Sequence, residues 1–161
     1  NLKENNYFPK IIYSSKKYHI RSFIEGESIH KTKKELNNQY FKEAKILLKK
    51  MRKCGVTNND LAKEANWLIT DKGMPAINDF QLAYCSKKNK IFTLLAREDL
   101  RHLLKHKKTF TNNLTKKEQD IVSKKTLISK LFHSTIKKYY LFFTRKILKW
   151  EERNGPEERD F

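Results

Sequence analysis

Residues 57–83 read TNNDLAKEANWLITDKGMPAINDFQLA, and this stretch decides the fold. Trp67 to Thr70 and Met74 to Asn78 are two short apolar runs joined by Asp71-Lys72-Gly73. Apolar runs on either side of an Asp-x-Gly turn predict a β-hairpin. The oxygen-bearing groups stand at its open end. Asp60 and Asn66 precede the first strand, and Asp79 follows the second. A hairpin returns its outer ends to one edge, so the three side chains are expected to converge. Hard oxygen donors of this kind suit Mg2+, which binds through one or two carboxylates plus substrate phosphates.

This order of residues resembles the catalytic loop and metal-binding segment of the protein-kinase-like superfamily. There an Asp-Leu-x-x-x-Asn segment is followed, one hairpin later, by Asp-Phe-Gly. The matching residues are Asp60-Leu61 with Asn66, then Asp79-Phe80-Gln81. Asn59-Asp60-Leu61, Asp79 to Ala83 and the later run from Leu95 to Lys107 are similar to small bacterial serine/threonine or RIO-like kinases. Those are relatives of lipopolysaccharide-sugar kinases and aminoglycoside phosphotransferases. The resemblance covers residues 8–155.

The resemblance implies an α+β fold: a mainly helical kinase-like C-lobe with short β-hairpins. Residues 1–30 are then a residual N-lobe hairpin and hinge, 31–150 the C-lobe, and 151–161 a charged tail. The implied reaction moves the γ-phosphoryl group of ATP to a hydroxyl on a protein, sugar or lipid. Asp60 is the expected general base, a role contributing ~10²–10⁴ in rate. Lys63 would neutralise charge on the transferring group. Asn66 and Asp79 would hold Mg2+, and Phe23 and Ile24, in the hinge, would neighbour the adenine.

Several positions depart from the pattern. Asn58 stands where the loop usually has His, and Gln81 replaces the Gly of Asp-Phe-Gly. Asn66 follows Asp60 by one residue more than the common spacing; the extra residue is expected within the loop, with Glu64 as a substitute ligand. The 25 residues before Gly26 contain no glycine, so no Gly-rich phosphate loop is placed there. Lys3 and Lys10 lie too close to the hinge to replace the strand lysine. The chain therefore reads as a large lobe with most of its small lobe missing, and an inactive kinase remnant is the first rival.

The second rival is a basic module for nucleic acid or anionic membrane. It rests on 36 Lys+Arg against 18 Asp+Glu, a formal charge of +18, which favours polyanionic partners. A Lys-rich, Gly-poor composition also arises from lysine used as a general solubilising residue, so charge alone decides little. Of the two rival ligands, nucleic acid is the less expected. Cys54 and Cys85 lack metal-ligand spacing and point to a reducing cytoplasm. No apolar run approaches the ~20 residues of a membrane span. The location expected is cytoplasmic, with peripheral association at the inner face of the membrane left open. The chain starts with Asn and has no apolar signal core, which reads as processed, truncated or internal to a longer product.

Elsewhere, residues 7–25 predict two short strands around Ser14 to Lys17. Residues 35–53 predict a helix whose Leu36, Tyr40, Phe41, Ala44, Leu47, Leu48 and Met51 form a core stripe. Cys54-Gly55 closes it, with Gly55 left-handed. Residues 84–94 read as a short connector without a long activation segment, which favours compact kinases. A helix over 95–108 should turn Leu95, Leu100, Leu103 and Leu104 inward, with Asp99 tied to the catalytic-loop backbone. His102 and His106 are four apart but lack a third ligand for a metal. Thr115 to Glu118 is a capping box opening a helix to residue 130. Residues 131–150 interleave aromatic residues, from Tyr139 to Trp150, with lysines, which suits the back of a large lobe or an anionic surface.

Overall fold

The structure is a computed structural model and describes residues 7–32, 36–87 and 89–124. The expectations for residues 125–161 lie outside the described residues. Three small antiparallel sheets and three helices make up the described part. β1 (Ile11–Ser14) pairs with β2 (His19–Arg21), and β3 (Glu27–Ser28) follows. α1 spans Asn38–Lys53 and β4 Val56–Thr57. β5 (Trp67–Ile69) and β6 (Pro75–Ile77) form the expected hairpin, with β3 added on the outer side of β5. β7 (Tyr84–Cys85) pairs with β4, and α2 (Lys90–Thr111) and α3 (Lys116–Ser123) complete the order.

Each element carries a local cause. The α1 stripe is buried from Tyr40 to Met51, with lysines on the other side. Asn37 caps the helix by accepting the Tyr40 amide at 3.0 Å. Gly55 ends it at φ +75°, and a Cβ there would stand 2.7 Å from the Ser86 carbonyl oxygen. Only glycine meets both conditions. The β5–β6 turn places Gly73 at φ +71°, and Thr70 accepts the Met74 amide at 3.1 Å.

The core gathers Phe41, Ala44, Met51, Leu61, Trp67, Ile77 and Leu103 between α1, the hairpin and α2. Tyr40 joins them, its hydroxyl donating to the Leu68 carbonyl at 3.1 Å. Burial pushes that phenol far above its ordinary range.

One expectation is corrected. The helix read over 95–108 begins at Lys90, because Asn89 caps it by accepting the Phe92 amide at 2.7 Å. Phe92 is fully buried, and Leu95 is only half-buried. The connector is therefore shorter than 84–94, and its first two residues form β7. α2 ends at Asn112, which takes the left-handed cap conformation at φ 46°.

Candidate active site

Two antiparallel ladders bracket the site. On one side Trp67 pairs with Ile77; on the other Thr57 pairs with Tyr84. The segments between them, 58–66 and 78–83, are thereby held face to face. Asp60, Lys63 and Asn66 lie on the first segment and Asp79 on the second.

The Asp60 carboxylate is held from two directions. Asn66 donates through Nδ2 to Asp60 Oδ2 at 3.0 Å and to the Asp60 carbonyl at 2.8 Å. Lys63 Nζ donates to the same Oδ2 at 3.1 Å, from a half-exposed side chain. The residue in excess of the usual spacing is absorbed by a 3₁₀ turn over Glu64–Asn66. Glu64, the alternative ligand, is buried, with Oε2 3.5 Å from His30 Nδ1.

With its Nδ2 occupied by Asp60, Asn66 keeps its Oδ1 as the acceptor atom. The Asn66 carbonyl accepts the Asn78 amide at 3.1 Å, so Asp79 follows directly on the residue opposite Asn66. Asp79 Oδ1 accepts the Gln81 amide at 2.9 Å in a tight turn, leaving Oδ2. An amide oxygen and a carboxylate oxygen at one end of a hairpin are hard donors in the number a phosphate-bridging Mg2+ takes from protein. The donor set fits that ion. Among the described residues, no three His, Cys, Asp or Glu side chains gather into a closed metal cage.

The loop backbone is fixed from α2. Asp99 accepts the Asn58 amide at 2.8 Å and the Asn59 amide at 2.9 Å, the tie expected from sequence. Burial pushes the Asp99 carboxyl up to about 6, against the two amides that favour its charge. Asn59 adopts φ 68°, a left-handed conformation that Asn tolerates, and its Nδ2 reaches the Leu82 carbonyl at 2.8 Å. Two turns along α2, His106 meets the Leu61 carbonyl at 2.9 Å. A carbonyl only accepts, so Nε2 carries the proton. Burial lowers the His106 pKa, consistent with a neutral ring. Trp67 Nε1 donates to the same carbonyl at 3.3 Å.

The histidine pair on α2 is not a metal site in this arrangement. His106 Nε2 is engaged by Leu61, and His102 Nε2 faces Glu98 at 3.7 Å. Burial, with Arg101 alongside, pushes His102 down to about 4.

Asn58 does more than sequence reasoning assigned to it. It is fully buried. Its Oδ1 accepts the Asp60 amide at 3.0 Å, and its Nδ2 donates to the Asp79 carbonyl. One amide side chain thus joins the segment of Asp60 to that of Asp79. The role of His106 was also missed; only its place two turns after Asp99 hinted at a shared face.

The residues expected to form a hinge separate. Ile24 is buried in a small cluster with Leu68 and Ala76, whereas Phe23 is 87% exposed. Phe8 packs edge-on against Phe80 at 5.7 Å between ring centroids, and the Tyr7 carbonyl accepts the Ile77 amide. The residues just before β1 therefore lean on β6 and the segment that follows it.

No protein-family profile matches the chain, and no curated protein matches it. Among solved structures, it is similar to the Rio2 kinase–ADP/Mg2+–phosphoaspartate complex from Chaetomium thermophilum. The TM-score is 0.56 at 14% sequence identity, over 92% of this chain and 47% of that one. The chain thus spans about half the length of the kinase it matches. With the helices and sheets above, this likeness shows an α+β, protein-kinase-like fold.

Proposed function

We propose that the chain carries the catalytic and metal-binding half of an atypical ATP-dependent kinase, of the bacterial RIO-like or sugar-kinase-like kind. The observation that carries this reading is the Asp60 carboxylate. It is held by Asn66 and Lys63 on a loop whose backbone is fixed by Asp99. Ordinary turn capping does not require Asn66 and Lys63 to converge on one Asp60 oxygen.

In this reading Asp60 Oδ2 accepts the proton of the attacking hydroxyl. Lys63 shifts from Asp60 toward the transferring group as negative charge develops there. Asn66 Oδ1 and Asp79 Oδ2 would hold Mg2+, which supplies charge neutralisation on the nucleotide phosphates when bound. Ile24, with Leu68 and Ala76, would form the apolar floor for the adenine, with Phe23 at its rim. The Rio2 structure was solved with ADP and Mg2+, which supports nucleotide use by this chain. The hydroxyl acceptor is a protein, sugar or lipid. The rival of an inactive remnant shares the fold but not the need for Asp60.

Calorimetry with Mg2+·ATP tests the reading. Binding should require the metal and be lost in Asp79→Ala. Asp60→Asn should bind nucleotide within about threefold of the parent while losing γ-phosphoryl turnover. Metal-independent binding, or binding untouched by Asp79→Ala, would overturn it.

A further inference from the structure

Segments 58–66 and 78–83 hold three carboxylates, on Asp60, Glu64 and Asp79, against one cation, Lys63. Lys63 is already drawn to Asp60. A nucleotide carrying Mg2+ on its phosphates is itself still anionic. Binding it beside these carboxylates therefore calls for positive charge from outside the two segments.

Arg21 brings that charge. Its guanidinium reaches across 57 residues of sequence, Nη1 donating to the Asn78 carbonyl at 3.0 Å. Every residue of β1 and β2 is exposed, so polar contacts and strand geometry, not burial, place this side chain. Ser22 and Lys10 fix the backbone beside it. The Ser22 amide donates to the Lys10 carbonyl at 2.8 Å, and the Lys10 amide donates to Ser22 Oγ at 2.8 Å. The β1–β2 register shifts at the same place. Ile11 faces Arg21 and Tyr13 faces Ile20, so β1 carries one extra residue, Ile12, opposite the step from Ile20 to Arg21. A bulge of this kind sharpens the local twist and re-aims a side chain.

The groups that Arg21 meets follow one another along the chain. Ala76 belongs to the apolar cluster with Ile24 and Leu68, Asn78 takes Arg21, and Asp79 comes next. From Ala76 to Asp79 is at most about 11 Å of chain. With adenine at the first of these and the metal at the last, the phosphates would run alongside Arg21. The Asn78 carbonyl is neutral and occupies one of the five donors of a guanidinium. Among the described residues no carboxylate pairs with Arg21, and residues 7–24 contain none. The planar fork of a guanidinium matches phosphate oxygens. Resting on the nucleotide site proposed above, we infer that Arg21 is its phosphate-contacting residue. With Nη1 on the Asn78 carbonyl, the remaining N–H groups donate to a phosphate oxygen of the bound nucleotide.

The test uses the full chain labelled with ¹⁵N, with Mg2+·ATP and adenosine as probes. Mg2+·ATP should shift the Arg21 Nε–H resonance, and adenosine should leave it in place. Arg21→Met should weaken Mg2+·ATP binding about tenfold or more, and adenosine binding by less than about twofold, with α1 and α2 amide resonances unmoved. Arg21→Lys, which keeps the charge but not the fork, should recover part of the loss. Equal weakening of both ligands in Arg21→Met, with an Arg21 resonance that Mg2+·ATP does not move in the parent, would make Arg21 a brace for the Asn78 carbonyl and overturn the inference. Unchanged Mg2+·ATP affinity in Arg21→Met would overturn it too, and binding lost in Asp79→Ala would then leave the proposed function standing. A parent chain that binds no Mg2+·ATP overturns both.

Discussion

Asp99 shows how one buried carboxylate sets a loop. Both its oxygens are taken by consecutive backbone amides, those of Asn58 and Asn59. Burial nevertheless raises its pKa from 3.8 to about 6. A raised acid pKa means that the native state holds the proton more tightly than the unfolded chain. The contribution of this group to stability is therefore fullest below about 4 and is lost as pH rises through about 6. The loop geometry runs the other way, because protonation removes acceptor capacity from one oxygen. The Asn58 and Asn59 amide resonances should titrate together with a midpoint near 6, and Asp99→Asn should abolish that titration. The same variant should cost about 1–3 kcal/mol by setting an amide donor against a backbone donor, read by denaturant unfolding. Resonances flat between pH 5 and 7 would contradict the tie.

At the scale of elements, the three helices meet in one ion-paired knot. Glu118, at N3 of α3, completes the capping box with Thr115 and takes Lys45 of α1 and Lys107 of α2. Burial alone would raise its pKa. The hydrogen bonds from Lys45, the Thr115 amide and Lys107 outweigh it and bring the carboxyl down to about 2. The sign is thus opposite to that of Asp99. This stabilisation is present above about 4.5 and is lost as pH falls toward 2. Glu118→Gln should destabilise the fold by roughly 2–4 kcal/mol at neutral pH, because two partly buried lysines lose their counter-charge. The loss should shrink as pH falls through that window. An equal loss at pH 3 and pH 7 would show that the cap, not the charge, holds α3.

The same elements show what a sequence can reveal. The β5–β6 hairpin, the α1 stripe, the Gly55 terminus and the Thr115 capping box follow from local chemistry, and each stands where its residues place it. The two-residue strands β3, β4 and β7 exist only through partners tens of residues away, and no local period announces them. The first turn of α2 was missed although Asn89 was a legible cap, because Ser86 to Asn89 reads as continuous loop. In the candidate site, Asp60, Lys63, Asn66 and Asp79 were singled out by type and spacing, and the first three share hydrogen bonds. The bridging by Asn58 and the grip of His106 on Leu61 depend on approaches across 21 and 45 residues, which spacing alone does not encode.

For the whole molecule, the described residues divide into a packed body and an exposed ribbon, with the site segments between them. The body has the core, the caps and the ion-paired helices. The ribbon has β-geometry but no burial, and it touches the site through Arg21. In the proposed function, Asn66 and Asp79 would hold the metal of a bound nucleotide near Asp60. Paramagnetic NMR with Mn2+·ATP replacing Mg2+·ATP tests it most directly. Selective broadening is expected at Asn66, Asn78 and Asp79, with weaker effects at Asp60 and Ile24 and none at α3, all abolished by Asp79→Ala. Broadening centred elsewhere, or surviving Asp79→Ala, would contradict it.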